Sequence, residues 1–169
     1  GYDLVIATGF LMKDATEKVA KDFPDVKFAL IDEVSALPNV ASLLFAEDQG
    51  SFLVGALAAM MSKTGNVGFV GGMEIPLIQK FQKGYEMGAK YVNPSIKVGS
   101  LYTSGSNPFN DPVRGKENAL SLIKQGADVV YHAAGGTGKG VIDAAVEAKV
   151  FAIGVDSNQD SKAKGTVLT

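Results

Sequence analysis

Short apolar runs alternate almost strictly with amphipathic stretches along this chain, and that alternation limits what it can fold into. Leu4-Val5-Ile6-Ala7 is apolar throughout, the pattern of a strand buried on both faces. Thr8-Gly9 turns it into a helix with Met12, Ala15, Val19 and Phe23 on one stripe and Lys13, Glu17, Lys18 and Lys21 on the other. Pro24 ends that helix. Strands are expected over 26–31 and 40–45. A helix then runs from Glu47 to about Lys63, its two leading carboxylates suiting a helix start. Thr64-Gly65-Asn66 breaks it, and 67–70 is the next strand. Pro76 opens a helix with Ile78, Phe81, Tyr85, Ala89 and Val92 at spacings of three and four. Further strands are expected over 97–102, 129–132, 150–155 and near 166, with helices over 113–124 and from the glycine-rich turn to about 148. The order βαββαβαβαβαβ predicts an α/β fold, with parallel sheet covered by helices on both faces.

The strand-turn-helix pattern restarts at Thr64-Gly65-Asn66. Residues 1–64 therefore read as part of one lobe, 65–156 as most of a second, and 157–169 as a truncated crossover back towards the first. The chain enters a strand at once after Gly1 and stops within another, which reads as a piece of a longer protein whose targeting signals lie elsewhere. A hydrophobic share of 46% and a charged share of 20% suit a globular chain. The net charge of −2 provides no overall basic field to draw nucleic acid or an anionic membrane. With no cysteine there is neither a disulfide framework nor a thiolate metal site. The greasiest stretch, 52–61, is too short to span a bilayer and reads as a buried helix.

In open α/β sheets, ligands bind beyond the carboxyl ends of the strands. Those ends here are Thr8-Gly9-Phe10, Ala46-Glu47-Asp48, Gly71-Gly72-Met73, the loop 103–109, the turn 133–138 and Asp156-Ser157-Asn158. The turn His132-Ala133-Ala134-Gly135-Gly136-Thr137-Gly138-Lys139-Gly140 is the densest in glycine. Either these glycines serve a tight strand-to-helix turn, or they present backbone N–H groups to a ligand at a helix start. It is not a phosphate-binding loop of the Gly-x-x-x-x-Gly-Lys-Ser/Thr kind. Ala133 stands where the first glycine belongs, and Gly140 follows Lys139. It is not a dinucleotide fingerprint either, since Val141 holds the last small position.

Asp156, after an apolar strand, is either a loop carboxylate or an acceptor for two vicinal hydroxyls. Phe10 and Phe109 follow strands in polar loops, as plugs beneath the loop or as faces for stacking on a ring. Met73 is a soft apolar contact or a core residue. His132, the only histidine, lacks the neighbours of a catalytic group and reads as a structural or hydrogen-bonding residue. Asp111, before Pro112, reads as a helix cap. No nucleophile elbow, His-Glu-x-x-His pair or acidic metal cluster occurs in the sequence.

Several stretches resemble one family: Ala7-Thr8-Gly9-Phe10, Gly50-Ser51-Phe52-Leu53-Val54-Gly55, Phe69-Val70-Gly71-Gly72-Met73-Glu74-Ile75-Pro76, Gly84-Tyr85-Glu86-Met87-Gly88, Tyr91-Val92-Asn93-Pro94, His132 to Gly138, and Ile153-Gly154-Val155-Asp156-Ser157. They resemble the basic membrane proteins, bacterial surface lipoproteins of the PnrA type that serve ABC importers. The resemblance implies a type I periplasmic-binding-protein fold, in which two Rossmann-like lobes close on a purine nucleoside such as guanosine, inosine or adenosine. It implies that Asp156 holds ribose hydroxyls and Phe109 stacks on the base, with Phe10, Met73, Gly135 and Gly136 lining the cleft. The loop Ser104–Pro112 is longer than the family's usual form. The partners implied are ABC permease subunits, with no cofactor and no catalysis. The location implied is the cell surface or periplasm, through a lipid anchor outside this chain. Two other classes remain open: a nucleotide-dependent Rossmann enzyme, suggested by the glycine loop and Asp156, and the ligand-sensing domain of a transcriptional regulator.

Overall fold

A computed structural model describes residues 1–169. The chain forms two compact units, Gly1–Ala46 and Glu47–Thr169.

In the first unit, β1 (Leu4–Thr8), β2 (Lys27–Ile31) and β3 (Val40–Leu43) make a parallel sheet in the order β1-β2-β3. A short 3-10 turn (Phe10–Met12) leads from β1 into α1 (Lys13–Asp22). Ala7, Ala20, Phe28, Leu30 and Val40 form the small core. The side chain of Asn39 donates to the carbonyls of Ala20, Phe23 and Val26, tying the end of α1 to the start of β3. The expectation that β1 is buried on both faces is not met: Leu4 is 54% and Ile6 61% exposed. β1 pairs only with β2, and the buried members of the core lie mainly on β2 and β3, so an apolar run does not by itself guarantee cover.

The second unit is a four-stranded parallel sheet in the order β5-β4-β6-β7, formed by β4 (Asn66–Gly71), β5 (Lys97–Tyr102), β6 (Val129–Ala133) and β7 (Phe151–Ile153). Alternation along the strands sorts their side chains to two faces. Val67, Phe69, Val129, Tyr131 and Ile153 pack with residues of α2 (Glu47–Met61) and α3 (Pro76–Val92). Val70, Val130 and Ala152 pack with α4 (Pro112–Lys124) and α5 (Gly138–Ala148). The expected two-faced cover is therefore realised here. On the first face Phe69, Tyr85 and Tyr131 cluster, with ring centroids 5.1–6.4 Å apart.

The division after Ala46 differs from the seam expected at Thr64-Gly65-Asn66, because α2 packs against α3 through glycines. A Cβ on Gly88 would stand 1.9 Å from the Phe52 carbonyl oxygen, and one on Gly84 2.2 Å from that of Asp48. Helices this close form one body. The turn 64–66 is a joint within the second unit, held by Asp128: its carboxylate accepts from the Ser62 hydroxyl at 2.6 Å and from the Lys63 and Thr64 amides at 2.6 and 2.9 Å. The segment 157–169 holds the strand expected near 166 as a short bridge. It folds over a 3-10 turn (Asp160–Lys162) and lays Val167 beside Ala152 in a parallel bridge, extending the β7 edge of its own unit.

Candidate functional site

The carboxyl ends of β4, β6 and β7 lie side by side at one edge of the second sheet, about 4.8 Å per strand step. The loop after β5 brings Phe109 across the ends of β4 and β6. A Cβ on Gly72, at the end of β4, would stand 2.3 Å from the Phe109 ring. A Cβ on Gly135, at the end of β6, would stand 3.1 Å from the Phe109 carbonyl oxygen. The ring rests on one glycine and its backbone on the other, leaving Phe109 half-buried. Met73 follows Gly72 and is also half-buried.

The loop is held by a residue that the sequence reading passed over. Thr137 is fully buried; its hydroxyl donates to the Pro108 carbonyl at 2.9 Å and accepts from the Asp111 amide at 2.8 Å, while its amide donates to the Phe109 carbonyl at 3.2 Å. The only signal was a lone hydroxyl among glycines. Asp111 caps α4 as expected, accepting from the Arg114 amide at 3.1 Å.

Each glycine of the turn meets a neighbour. Gly135 has φ +53°, in the left-handed region. A Cβ on Gly136 would come within 2.9 Å of the Asn110 side-chain oxygen, one on Gly138 within 2.1 Å of the His132 ring, and one on Gly140 within 1.8 Å of the Pro112 carbonyl oxygen. Sterics of the strand-to-helix turn therefore account for the glycine density. Only Gly135 and Gly136 are exposed; Gly138 and Gly140 are buried.

Asp156 sits past β7 with φ +63°, and the Ser157 amide donates back across it to the Val155 carbonyl at 2.7 Å. A three-residue turn with positive φ at a non-glycine centre is strained, and such residues persist where their surroundings over-determine them. Asp156 is exposed, yet the protein around it partly desolvates its carboxyl and raises it. Its charge reaches into the core. The Tyr131 hydroxyl is pushed up to about 12, mainly by burial, with the Ser51 hydrogen bond opposing and Asp156 adding to the rise. An open concavity of about 690 Å³ lies here, lined by Val54, Asp156, Ser157, Asn158, Val167 and Leu168 among others. Phe109, Met73 and Gly135 stand outside it, so the hollow and the candidate residues coincide at Asp156 alone. Phe10 belongs to the first unit, half-buried at the start of its 3-10 turn.

His132 is fully buried, and its ring is pushed down to about 4 by burial and the nearby Lys162, against an opposing hydrogen bond to the Gln159 side-chain oxygen. It is neutral at pH 7. This agrees with a hydrogen-bonding role. Gln159, its partner, was not singled out in the sequence; a glutamine in a polar loop carries no distinctive pattern.

Compared with known proteins, the chain matches the PnrA-like ABC transporter substrate-binding proteins over residues 1–169. It is 42% identical to the ABC transporter nucleoside-binding protein BmpA of Lactococcus lactis, over 95% of this chain and 47% of that protein. It is 39% identical to a CD4+ T-cell-stimulating antigen of Listeria monocytogenes, over 98% of this chain and 48% of the relative. The chain thus spans about half the length of the curated relatives it matches. Among solved structures it resembles an ABC transporter solute-binding protein of Aeropyrum pernix, at a TM-score of 0.88 and 36% identity, over 98% of this chain and 49% of that one. It also resembles a transcriptional activator of the comK gene from Bacillus halodurans, at a TM-score of 0.84 and 28% identity, over 99% and 57%. A glucose-galactose binding protein of Geobacillus stearothermophilus, at 0.64 and 19%, shares the fold alone, the type I periplasmic-binding-protein fold expected from the sequence. The chain belongs to the PnrA-like family of ABC transporter substrate-binding proteins.

Proposed function

We propose that this chain forms part of a nucleoside-capturing site in a solute-binding protein, which hands its ligand to ABC permease subunits without making or breaking a bond. The observation that carries this reading is the strained turn at Asp156 after β7, on the same sheet end as the Phe109 ring, which rests two strands along on the end of β4. A carboxylate accepts two hydroxyl protons, as vicinal ribose hydroxyls provide. An aromatic face farther along the same sheet end takes a planar base. A purine nucleoside joins both features in one uncharged molecule, and guanosine, inosine and adenosine are the first ligands to try. The BmpA relative's description as nucleoside-binding supports the same class. Gly135 and Gly136 complete the wall as exposed backbone, with Met73 beside Gly72. The other glycines are occupied by His132 and Pro112, which argues against a phosphate cradle and a nucleotide-dependent enzyme. By family, the protein works at the cell surface or in the periplasm on a lipid anchor; no helix described is long and apolar enough to cross a membrane.

Calorimetric titration with the three nucleosides tests the reading. Binding by the chain and loss of about tenfold or more in affinity on Asp156→Ala are expected, the size of one or two hydrogen bonds to a charged group. Unchanged affinity in that variant, or no heat with any nucleoside, overturns it. Because ligand hydroxyls require the ionised carboxylate, affinity should fall as pH drops through the raised Asp156 value, sooner than for an ordinary aspartate.

A second reading, the sensory domain of a regulator, is favoured by the comK-activator likeness. Fractionation of the producing cells separates the two: recovery with the membrane supports the first, recovery with DNA the second.

A further inference from the structure

The Asp156 turn is tied to the glycine-rich turn by two side chains, His132 and Gln159. The Gln159 side-chain oxygen lies 3.3 Å from the Val155 amide nitrogen and 3.0 Å from His132 Nε2. The Val155 amide can only donate, so the Gln159 atom facing it is the carbonyl oxygen rather than the NH₂ group. That oxygen can only accept, so His132 Nε2 carries the proton and Nδ1 is bare. Nδ1 is buried and has no hydrogen-bond partner. A buried polar atom without a partner is unfavourable, and it persists only where the arrangement around it is imposed by something else. Here the ring is clamped. Gly138 lets the start of α5 come so close that a Cβ there would be 2.1 Å from it. On the far side Gln159 lies over Gly154, where a Cβ would be 2.9 Å from the glutamine oxygen and 3.1 Å from its Cβ.

We propose that Gln159 and His132 are positioning residues for the ligand-binding aspartate. In this arrangement α5 seats His132, His132 orients Gln159, and Gln159 fixes the Val155 amide from which the Asp156 turn departs. The inference rests on the nucleoside reading for what Asp156 contacts, but the clamp itself is a statement about this chain. It also gives Gly138 and Gly154 a shared purpose: each makes room for one member of the clamp. The groups facing the His132 ring that bear on its protonation are Gln159 and, from the 3-10 turn, Lys162.

The test uses this chain with two variants at Gln159 and one control. Gln159→Leu keeps most of the bulk and removes the acceptor; Gln159→Glu keeps an acceptor for both donors. Because His132 is the only histidine, its ring nitrogens can be read without ambiguity by long-range proton–nitrogen NMR. The expected spectrum is that of the Nε2–H tautomer. In Gln159→Leu the Val155 amide should exchange with solvent about tenfold faster, and guanosine affinity should fall by about tenfold, the effect of one lost hydrogen bond. Gln159→Glu should restore both and move His132 protonation to higher pH. An Nδ1–H tautomer in the unaltered chain overturns the proposal. So does Gln159→Leu with exchange and affinity unchanged while Asp156→Ala loses binding, a result that leaves the nucleoside reading standing. If the unaltered chain binds no nucleoside, that reading fails instead, and the tautomer and Val155 exchange still decide whether the clamp exists.

Discussion

At the scale of single residues, the second unit repeatedly places a side chain or carbonyl where a glycine has left a gap. Gly138 against the His132 ring is the clearest case, because the ring is fully enclosed and cannot swing away. Gly138→Ala should destabilise the chain by about 1–3 kcal/mol, the range for forcing a methyl into a packed interior, as measured by urea unfolding. His132 itself makes stability depend on pH. Its folded value is about 4 against 6.5 for a free imidazole, so over that window the unfolded chain binds a proton that the folded chain refuses. Stability is therefore fully present above about pH 6.5 and is lost as pH falls towards 4, by on the order of 3 kcal/mol if this group alone is counted. Replacing His132 with Gln should flatten that slope in unfolding curves taken across the window; an unchanged slope would assign the acid loss to other groups.

At the scale of elements, the helix pair α2–α3 shows what a sequence can and cannot announce. The periodicity of α3 was plain from Ile78, Phe81, Tyr85 and Ala89, and its observed bounds begin at the expected Pro76. The glycines at 55, 84 and 88 stood out only as a family pattern; their reason is contact between helix backbones, which no one-dimensional period encodes. A Cβ on Gly55 would lie 2.0 Å from the Tyr85 carbonyl oxygen and one on Gly88 1.9 Å from that of Phe52. Backbone cannot rotate aside as a side chain can. Gly55→Ala and Gly88→Ala should therefore each cost about 3 kcal/mol or more, at the upper end of overpacking, and the double variant should cost less than the sum, since the first separation of the helices admits the second methyl. The same reasoning explains why the turn at 64–66 lies inside the second unit. Thr64-Gly65-Asn66 is a true break in helix propensity, but Asp128, more than sixty residues on, closes it. Burial alone would raise the Asp128 carboxyl; hydrogen bonds from Ser62, Thr64 and Lys63 outweigh that and hold it below the usual range. Its contribution is present above the unfolded carboxylate value and is lost as pH falls through the folded one.

At the scale of the whole chain, alternation of apolar runs and amphipathic stretches sufficed for the α/β class and for nearly every element, because hydrophobic period is set locally. The candidate site was legible at Asp156 and Phe109 through their places after strands. It was illegible at Thr137 and Gln159, whose importance lies in partners 26–29 residues distant. What an apolar run could not reveal is how well its strand is covered, and this sets the two units apart. β6 is buried along its whole length, whereas β1 is exposed at four of its five residues. The first unit's core cluster holds Ala7, Ala20, Phe28, Leu30 and Val40, while the second unit has two larger clusters, one on each face of its sheet. Since apolar burial is the main favourable term in folding, the two units should differ in local stability. Native-state hydrogen exchange reads this directly. Amides of β1 and β2 should exchange at least about tenfold faster than those of β4 and β6, a gap of ~1.4 kcal/mol or more in opening free energy. The fastest of the paired amides should lie in β1, an edge strand that is more exposed along its length than β3, the other edge. Equal protection of the two sheets would mean that the first unit draws stability from something other than its own core, and the contrast in strand burial would then be a poor guide to where this chain opens.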